Sequence, residues 1–219
     1  MCRSSAEMRP SAKARVFVAV DVGDAVRREA ARVISALQIK LEAAKTPPKV
    51  TWVKPPAMHV TIRFLGEVEL EEVERIKPLL APPIAIAPFD VQWRGIGTFP
   101  NNRHPRALWL GVISGAAQLA AIEAEISKRL TGAAVELDER ALLPHLTLGR
   151  VKMAGAGVDW PKILRSAEIK NAISHIDRVT LYQSELSRPL GRVRAGLSGV
   201  EGQYGPHYTE LVSAPLIAP

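Results

Sequence analysis

Apolar residues recur along the chain with two periods, and the places where one gives way to the other mark out an alternation of strands and helices. Val16 to Asp21 (VFVAVD) is β-branched, aromatic and apolar, the composition of a buried strand. From Asp24, which offers an N-cap, Val26, Ala30, Val33, Ile34, Leu37 and Leu41 follow at helical spacing, and Pro47-Pro48 stops that helix by Thr46. Val50 to Val53 predicts a short strand and Pro55-Pro56 a turn. Met58 to Leu65 (MHVTIRFL) predicts a second strand closed by Gly66, and Glu69 to Leu80 a helix with Leu70, Val73, Ile76 and Leu80 inward.

Past a proline-rich connector from Pro78 to Pro88, the pattern predicts a strand over 89–96, a loop over 97–106 and a strand over 107–113. A helix from Ser114 to Leu130 follows, with Leu119, Ile122, Ile126 and Leu130 on one face. Ala141 to Val151 (ALLPHLTLGRV) predicts a strand, Asp159 caps a short helix ending at Ser166, and Arg178 to Glu185 is again a strand. The segment 187–206, rich in Gly, Arg and Ser, predicts a mobile basic loop before a closing strand over 208–212.

Two stretches of this pattern match. His-Val-Thr-Ile at 59–62 and His-Leu-Thr-Leu at 145–148 lie 86 residues apart (145 − 59), each on a predicted strand between helices. A period that long, seen twice, points to two similar lobes facing one another. Alternate strand side chains share a face, so His59 aligns with Thr61 and His145 with Thr147, while Val60, Ile62, Leu146 and Leu148 point into the core.

Two imidazoles and two hydroxyls around a central space suit transfer at phosphorus. Histidine titrates near ~6.5, so one copy can be neutral and the other protonated, taking a proton from water and giving one to a departing sugar oxygen. Threonine hydroxyls, with Arg150 directly after the second motif, can hold non-bridging oxygens. Arg63, on the face of His59 by strict alternation, is a further candidate for phosphate, although an arginine on a strand face is more often a solvated neighbour. A lone His-x-Thr would ordinarily be a polar pair on a half-solvated strand; two in matching contexts carry the argument. His104, His175 and His207 have no companion motif and read as surface residues. Trp52, Trp93, Trp109 and Trp160 read as core or lobe-interface residues, one of which could stack a base.

Composition narrows the alternatives. Of 219 residues, 47% are hydrophobic, enough for an ordinary core, and a formal net charge of +7 favours polyanionic partners. The single Cys2 excludes a disulfide framework and a multi-cysteine zinc site and fits a reducing, cytoplasmic setting. No apolar run approaches the ~20 residues that span a bilayer, and neither a phosphate-binding G-x-x-x-x-G-K-[ST] loop nor a dinucleotide G-x-G-x-x-G turn is present. Residues 1–14 read as a flexible leader, and 15–219 as a single bilobal domain carrying both motifs.

Five segments together strongly resemble the 2H phosphoesterase superfamily, and within it the bacterial and archaeal RNA 2′,3′-cyclic phosphodiesterases, also called 2′-5′ RNA ligases. They are Arg15-Val16-Phe17-Val18-Ala19-Val20; Met58-His59-Val60-Thr61-Ile62-Arg63-Phe64-Leu65-Gly66-Glu67-Val68; Gly97-Thr98-Phe99-Pro100; Pro144-His145-Leu146-Thr147-Leu148-Gly149-Arg150-Val151; and Leu181-Tyr182-Gln183-Ser184-Glu185-Leu186. The resemblance covers everything after the leader. It implies an α+β fold of two pseudo-symmetric lobes, antiparallel sheets with flanking helices around a central cleft. It also implies metal-independent hydrolysis of RNA 2′,3′-cyclic phosphate ends to 2′-phosphates, with 2′-5′ ligation as the reverse reaction and no cofactor. By the same resemblance His59 is the proton donor to the leaving 3′ oxygen, His145 the acceptor from water, and Thr61, Thr147 and Arg150 the phosphate-binding groups. The expected partners are RNA ends, tRNA-like or other, taken by a monomer without a membrane. Rival readings keep the site but change the substrate to small cyclic nucleotides or 2′-5′ oligonucleotides, or make the lobes a non-catalytic RNA-binding module. The arginine-rich segment 187–206 is longer than the family's compact ending.

Overall fold

The computed structural model describes residues 12–135, 142–167, 169–170, 172–186 and 206–219. Most of the expected leader and most of the basic segment 187–206 lie outside these residues. In chain order the elements are β1 (Lys13–Asp21), α1 (Asp24–Glu42), β2 (Lys49–Trp52), β3 (His59–Glu69), α2 (Leu70–Leu80), β4 (Phe89–Phe99), β5 (Ala107–Ser114), α3 (Ala116–Arg129), β6 (His145–Met153), α4 (Trp160–Arg165), β7 (Ile173–Ile176), β8 (Arg178–Leu186) and β9 (Pro206–Pro215), with one 3₁₀ turn at Pro55–Ala57 before β3. Because β1 opens at Lys13, the last two residues of the expected leader are part of the fold.

The strands form two antiparallel sheets, ordered β3-β1-β8-β9 and β2-β6-β5-β4-β7. The duplication read from the sequence is visible in this order. In one sheet β1 runs through α1 back to the neighbouring β3, and in the other β5 runs through α3 back to the neighbouring β6. The halves are nevertheless interleaved: β2, from the first half of the chain, edges the second sheet, while β8 and β9 return to complete the first. β3 and β6, the strands that begin with the two histidines, lie against each other.

One hydrophobic core runs beneath both sheets. The stripe Val26, Ala30, Val33, Ile34, Leu37 and Leu41 buries α1, and Leu119, Ile122, Ile126 and Leu130 bury α3, as the helical spacing predicts. Val60, Ile62, Leu146 and Leu148 meet that core from the two site strands. Burying a side chain of this size removes apolar area worth about 1.5–3 kcal/mol from water.

Four local expectations fail for identifiable reasons. Asp24 does not cap α1; Gly23 occupies that position and its N–H donates to Ser174 Oγ at 2.7 Å. Asp24 instead lies in the first turn, where a carboxylate complements the helix dipole and meets Arg27 at 3.3 Å. Leu70 starts α2 at the surface, and its inward place is taken by Glu72, whose carboxylate accepts from the Ala134 N–H at 2.9 Å and pairs with Arg75 at 3.0 Å. β3 continues past Gly66 to Glu69 and β4 through Gly97 to Phe99, because pairing with β1 and β5 compensates for weak local strand propensity. β7, four residues long, is too short to read from sequence and is held by β4.

Leu146, fully buried between His145 and Thr147, ties the second motif to the core. Leu146→Ala should therefore cost about 2–5 kcal/mol in urea unfolding; a loss below 1 kcal/mol would show that β6 is not anchored through this residue.

Candidate active site

Each histidine is the first residue of its strand, and each ring is fixed the same way. His59 Nδ1 lies 2.9 Å from the carbonyl oxygen of Ala57, and His145 Nδ1 lies 2.7 Å from that of Leu143. A carbonyl oxygen can only accept, so in both rings Nδ1 carries the hydrogen and Nε2 is left for chemistry. The turn that ends at Ala57 and the short lead-in at Leu143 thus do for the two imidazoles what a second carboxylate does in other sites.

Strand alternation alone does not deliver the rest of the site. Trp109 and Ala107, two residues apart on β5, pair with Thr147 and Arg150, three apart on β6. The extra residue forms a bulge at Leu148-Gly149 and returns Arg150 to the face of His145 and Thr147. The same device operates on β3. Ala19 and Phe17 pair with Thr61 and Phe64, again two against three, so Phe64 rejoins the face of His59 while Ile62 and Arg63 turn away. The two motifs are therefore His-x-Thr-x-x-Phe and His-x-Thr-x-x-Arg.

This corrects the placement of Arg63. It pairs with Val18, on the core side of β1, and its guanidinium forms an ion pair with Glu123 and donates to Ser127 Oγ at 2.7 Å, both on α3. Arg63 holds a helix to the sheet and does not face the cleft. Gly149 is needed at the second bulge: a Cβ there would come within 2.9 Å of the Trp52 ring and of a Val50 methyl.

Aromatic rings wall both histidines, and none of them belongs to the His-x-Thr motifs. Phe17 lies 4.8 Å from the His59 ring, and Tyr208 meets it edge-on at 5.1 Å. Phe99 meets the His145 ring edge-on at 5.0 Å, and Trp109 lies 6.3 Å away. The Trp109 indole lies over Gly97, where a Cβ would sit 2.3 Å from the ring, so a glycine in β4 makes room for one wall of the cleft. Trp93 and Trp160 are core residues. A signal for the aromatics was available in the outward-facing rings of strands β1, β4, β8 and β9.

Burial is the main influence on both imidazoles and pushes each below the usual histidine range. At His59 the Ala57 carbonyl and the Asp21 carboxylate oppose that shift, and the charges of Arg150 and His145 add to it. At His145 the Leu143 carbonyl opposes it and Arg150 adds to it. Arg150, itself exposed, thus lies close enough to act on both rings and on Tyr208, whose hydroxyl burial pushes up. Thr61 and Thr147 are half-buried on the cleft faces of their strands. His59, His145, Thr61, Thr147 and Arg150 thus lie on the facing sides of the two strands, and Arg63 does not.

The remaining histidines stand apart. His175 is exposed and 2.8 Å from Asp90, and His104 and His207 are exposed on a loop and on β9. Among the described residues no group of three or more His, Cys, Asp or Glu side chains could hold a metal ion, and no helix is long and apolar enough to cross a membrane.

Known proteins share this arrangement of sequence and fold. A sequence profile of the LigT-like phosphoesterases matches residues 25–109. The RNA 2′,3′-cyclic phosphodiesterase of Thermotoga maritima is 30% identical over 180 residues, covering 82% of this chain and 90% of the relative. The protein of the same name from Methanothermobacter thermautotrophicus is 31% identical over 186 residues, covering 83% and 95%. In fold, the chain superposes on Escherichia coli LigT in complex with 3′-AMP with a TM-score of 0.64 at 20% identity, covering 94% of this chain and 99% of that one. Two antiparallel sheets that meet at a pair of His-x-Thr strands, together with relatives this similar over nearly their whole length, place the chain in the LigT-like phosphoesterase family of the 2H superfamily.

Proposed function

We propose that the chain hydrolyses RNA ends that carry a 2′,3′-cyclic phosphate, leaving a 2′-phosphate and a free 3′ hydroxyl. The observation that carries this reading is the matched clamp on the two imidazoles, each with Nδ1 held by a backbone carbonyl and Nε2 left open. Relatives named RNA 2′,3′-cyclic phosphodiesterases support the choice of substrate.

In this reading the cyclic phosphate lies between β3 and β6. Neutral His145 accepts a proton at Nε2 from water as the water oxygen bonds to phosphorus. The bond from phosphorus to O3′ breaks, and protonated His59 gives its Nε2 proton to O3′. Solvent then resets both rings. Arg150 and the hydroxyls of Thr61 and Thr147 hold the non-bridging oxygens while negative charge grows on them. Phe64, exposed on the same face, offers a ring to the terminal base. When the 5′-hydroxyl of a second RNA attacks in place of water, the bond from phosphorus to O3′ breaks in the same way and a 2′-5′ linkage forms. The single Cys2 fits a reducing, cytoplasmic setting.

Three substrates incubated in excess EDTA test the proposal: an RNA ending in a 2′,3′-cyclic phosphate, a nucleoside 2′,3′-cyclic monophosphate and a 2′-5′-linked dinucleotide. The RNA should be turned over with the highest kcat/KM and yield only 2′-phosphate. Activity that disappears in EDTA and returns with a divalent ion would overturn the two-histidine chemistry.

His59→Ala and His145→Ala should each lower kcat/KM by at least ~10²-fold. The base must be neutral, so activity falls below its pKa; the acid must be protonated, so activity falls above its pKa. Because burial lowers both rings, the resulting bell in kcat/KM should be centred on the acid side of ~6.5. A flat profile, or a variant with wild-type turnover, would remove that histidine from the reaction.

Arg150→Ala should raise KM and lower kcat while keeping the bell shape, and Arg150→Lys should restore little, since a point charge cannot give two parallel hydrogen bonds. Steady-state kinetics beside a melting curve decide this, and unchanged constants would place Arg150 outside the site.

A further inference from the structure

The two motifs match in strand position, ring clamp, threonine, bulge and the reach of Arg150, yet the reaction proposed above needs one imidazole charged and the other neutral. Something outside the repeat must make them unequal. The neighbouring strand supplies it. His59 faces Asp21 across β1, whereas His145 faces Gly111 across β5. Residues directly opposite in an antiparallel pair have Cβ atoms about 4.5–5.5 Å apart, so Asp21 brings a carboxylate beside the His59 ring. Gly111 cannot be the counterpart of Asp21, because a Cβ there would lie 2.9 Å from the Arg94 carbonyl oxygen and 3.2 Å from the Trp109 ring.

Asp21 is also held in place. The Tyr182 hydroxyl donates to its Oδ2 at 2.7 Å, and Arg27 on α1 lies 3.8 Å from its Oδ1. Tyr182 in turn stacks on Phe17 at 5.6 Å, the ring that lies against His59. Among the described residues, the charged and titratable groups around His59 are therefore Asp21 on β1, Arg27 on α1, Tyr182 on β8, Tyr208 on β9, and His145 and Arg150 on β6. Asp21 is the carboxylate among them. Its pull raises the affinity of His59 for a proton, and among the described residues no carboxylate has that effect on His145.

We propose that Asp21 is a positioning residue that breaks the symmetry of the two histidines, keeping the proton on His59 and so assigning it the donor's part. The inference rests on the two-histidine reading, but its first readout needs no turnover.

Ring-proton NMR titrations of His59 and His145 in the free protein test it, with Asp21→Asn and, as a second neutral variant should the first not fold, Asp21→Ser. In either variant the His59 midpoint should fall by on the order of 0.5–1 pH unit, as expected for loss of one nearby half-solvated charge, while His145 stays put. Asp21→Glu, which keeps the charge, should leave His59 near its wild-type midpoint. In kcat/KM the alkaline limb alone should move to lower pH by the same amount. A His59 midpoint that does not move, or an equal movement of both rings, would overturn the proposal. Failure to hydrolyse cyclic phosphate with the His59 shift intact would instead overturn the reading of the reaction and leave the Asp21 to His59 coupling standing.

Discussion

A β-strand shows only every second residue to one side, and a site that needs a histidine, a threonine and a third group from one strand must break that rule once. Both site strands do so at the same point, two residues against three, immediately after the threonine. The bulge keeps Ile62 and Leu148 in the core while releasing Phe64 and Arg150 toward the cleft. Without it, the guanidinium that acts on both imidazoles would lie on the helix side of the sheet, where Arg63 in fact lies, paired with Glu123. The cleft therefore depends on a defect in pairing that is repeated by the duplication, and on Gly149, which alone fits against Trp52 at the second defect.

The duplication gives two equal scaffolds, and the differences between them are where function enters. One lobe ends its motif with an exposed aromatic ring and the other with an arginine, so a single cleft has one side suited to a base and one suited to phosphate. One histidine faces a carboxylate and the other a glycine. The imidazoles themselves are treated alike, each fixed by a carbonyl two residues earlier and each lowered by burial. Fixed ring orientation costs little at the moment of reaction, which is the advantage of placing both groups at the starts of strands anchored by Val60 and Leu146.

Much of this was legible in the sequence, for physical reasons. Helix faces follow from a 3.6-residue period with large apolar residues, so the stripes of α1 and α3 could be read position by position. The histidines and threonines could be placed because strict alternation holds up to Thr61 and Thr147. It fails two residues later, at Arg63 and Gly149, and a bulge leaves no composition signal except, at Gly149, a glycine. Strict alternation consequently puts Arg63 on the wrong face. The aromatic walls, Asp21 and the interleaving of the two sheets depend on which strands pair at long range, and nothing local encodes that β8 returns to β1 and brings β9 with it.

In the proposed reaction both histidines serve one phosphate. Titrating the protein with a nucleoside 2′-monophosphate, the product of the proposed reaction, while following the ring protons of His59 and His145 tests it directly. One equivalent should shift both sets of signals along a single saturation curve, with the same Kd at each ring. Two separate saturation curves, or a response confined to one histidine, would contradict the account.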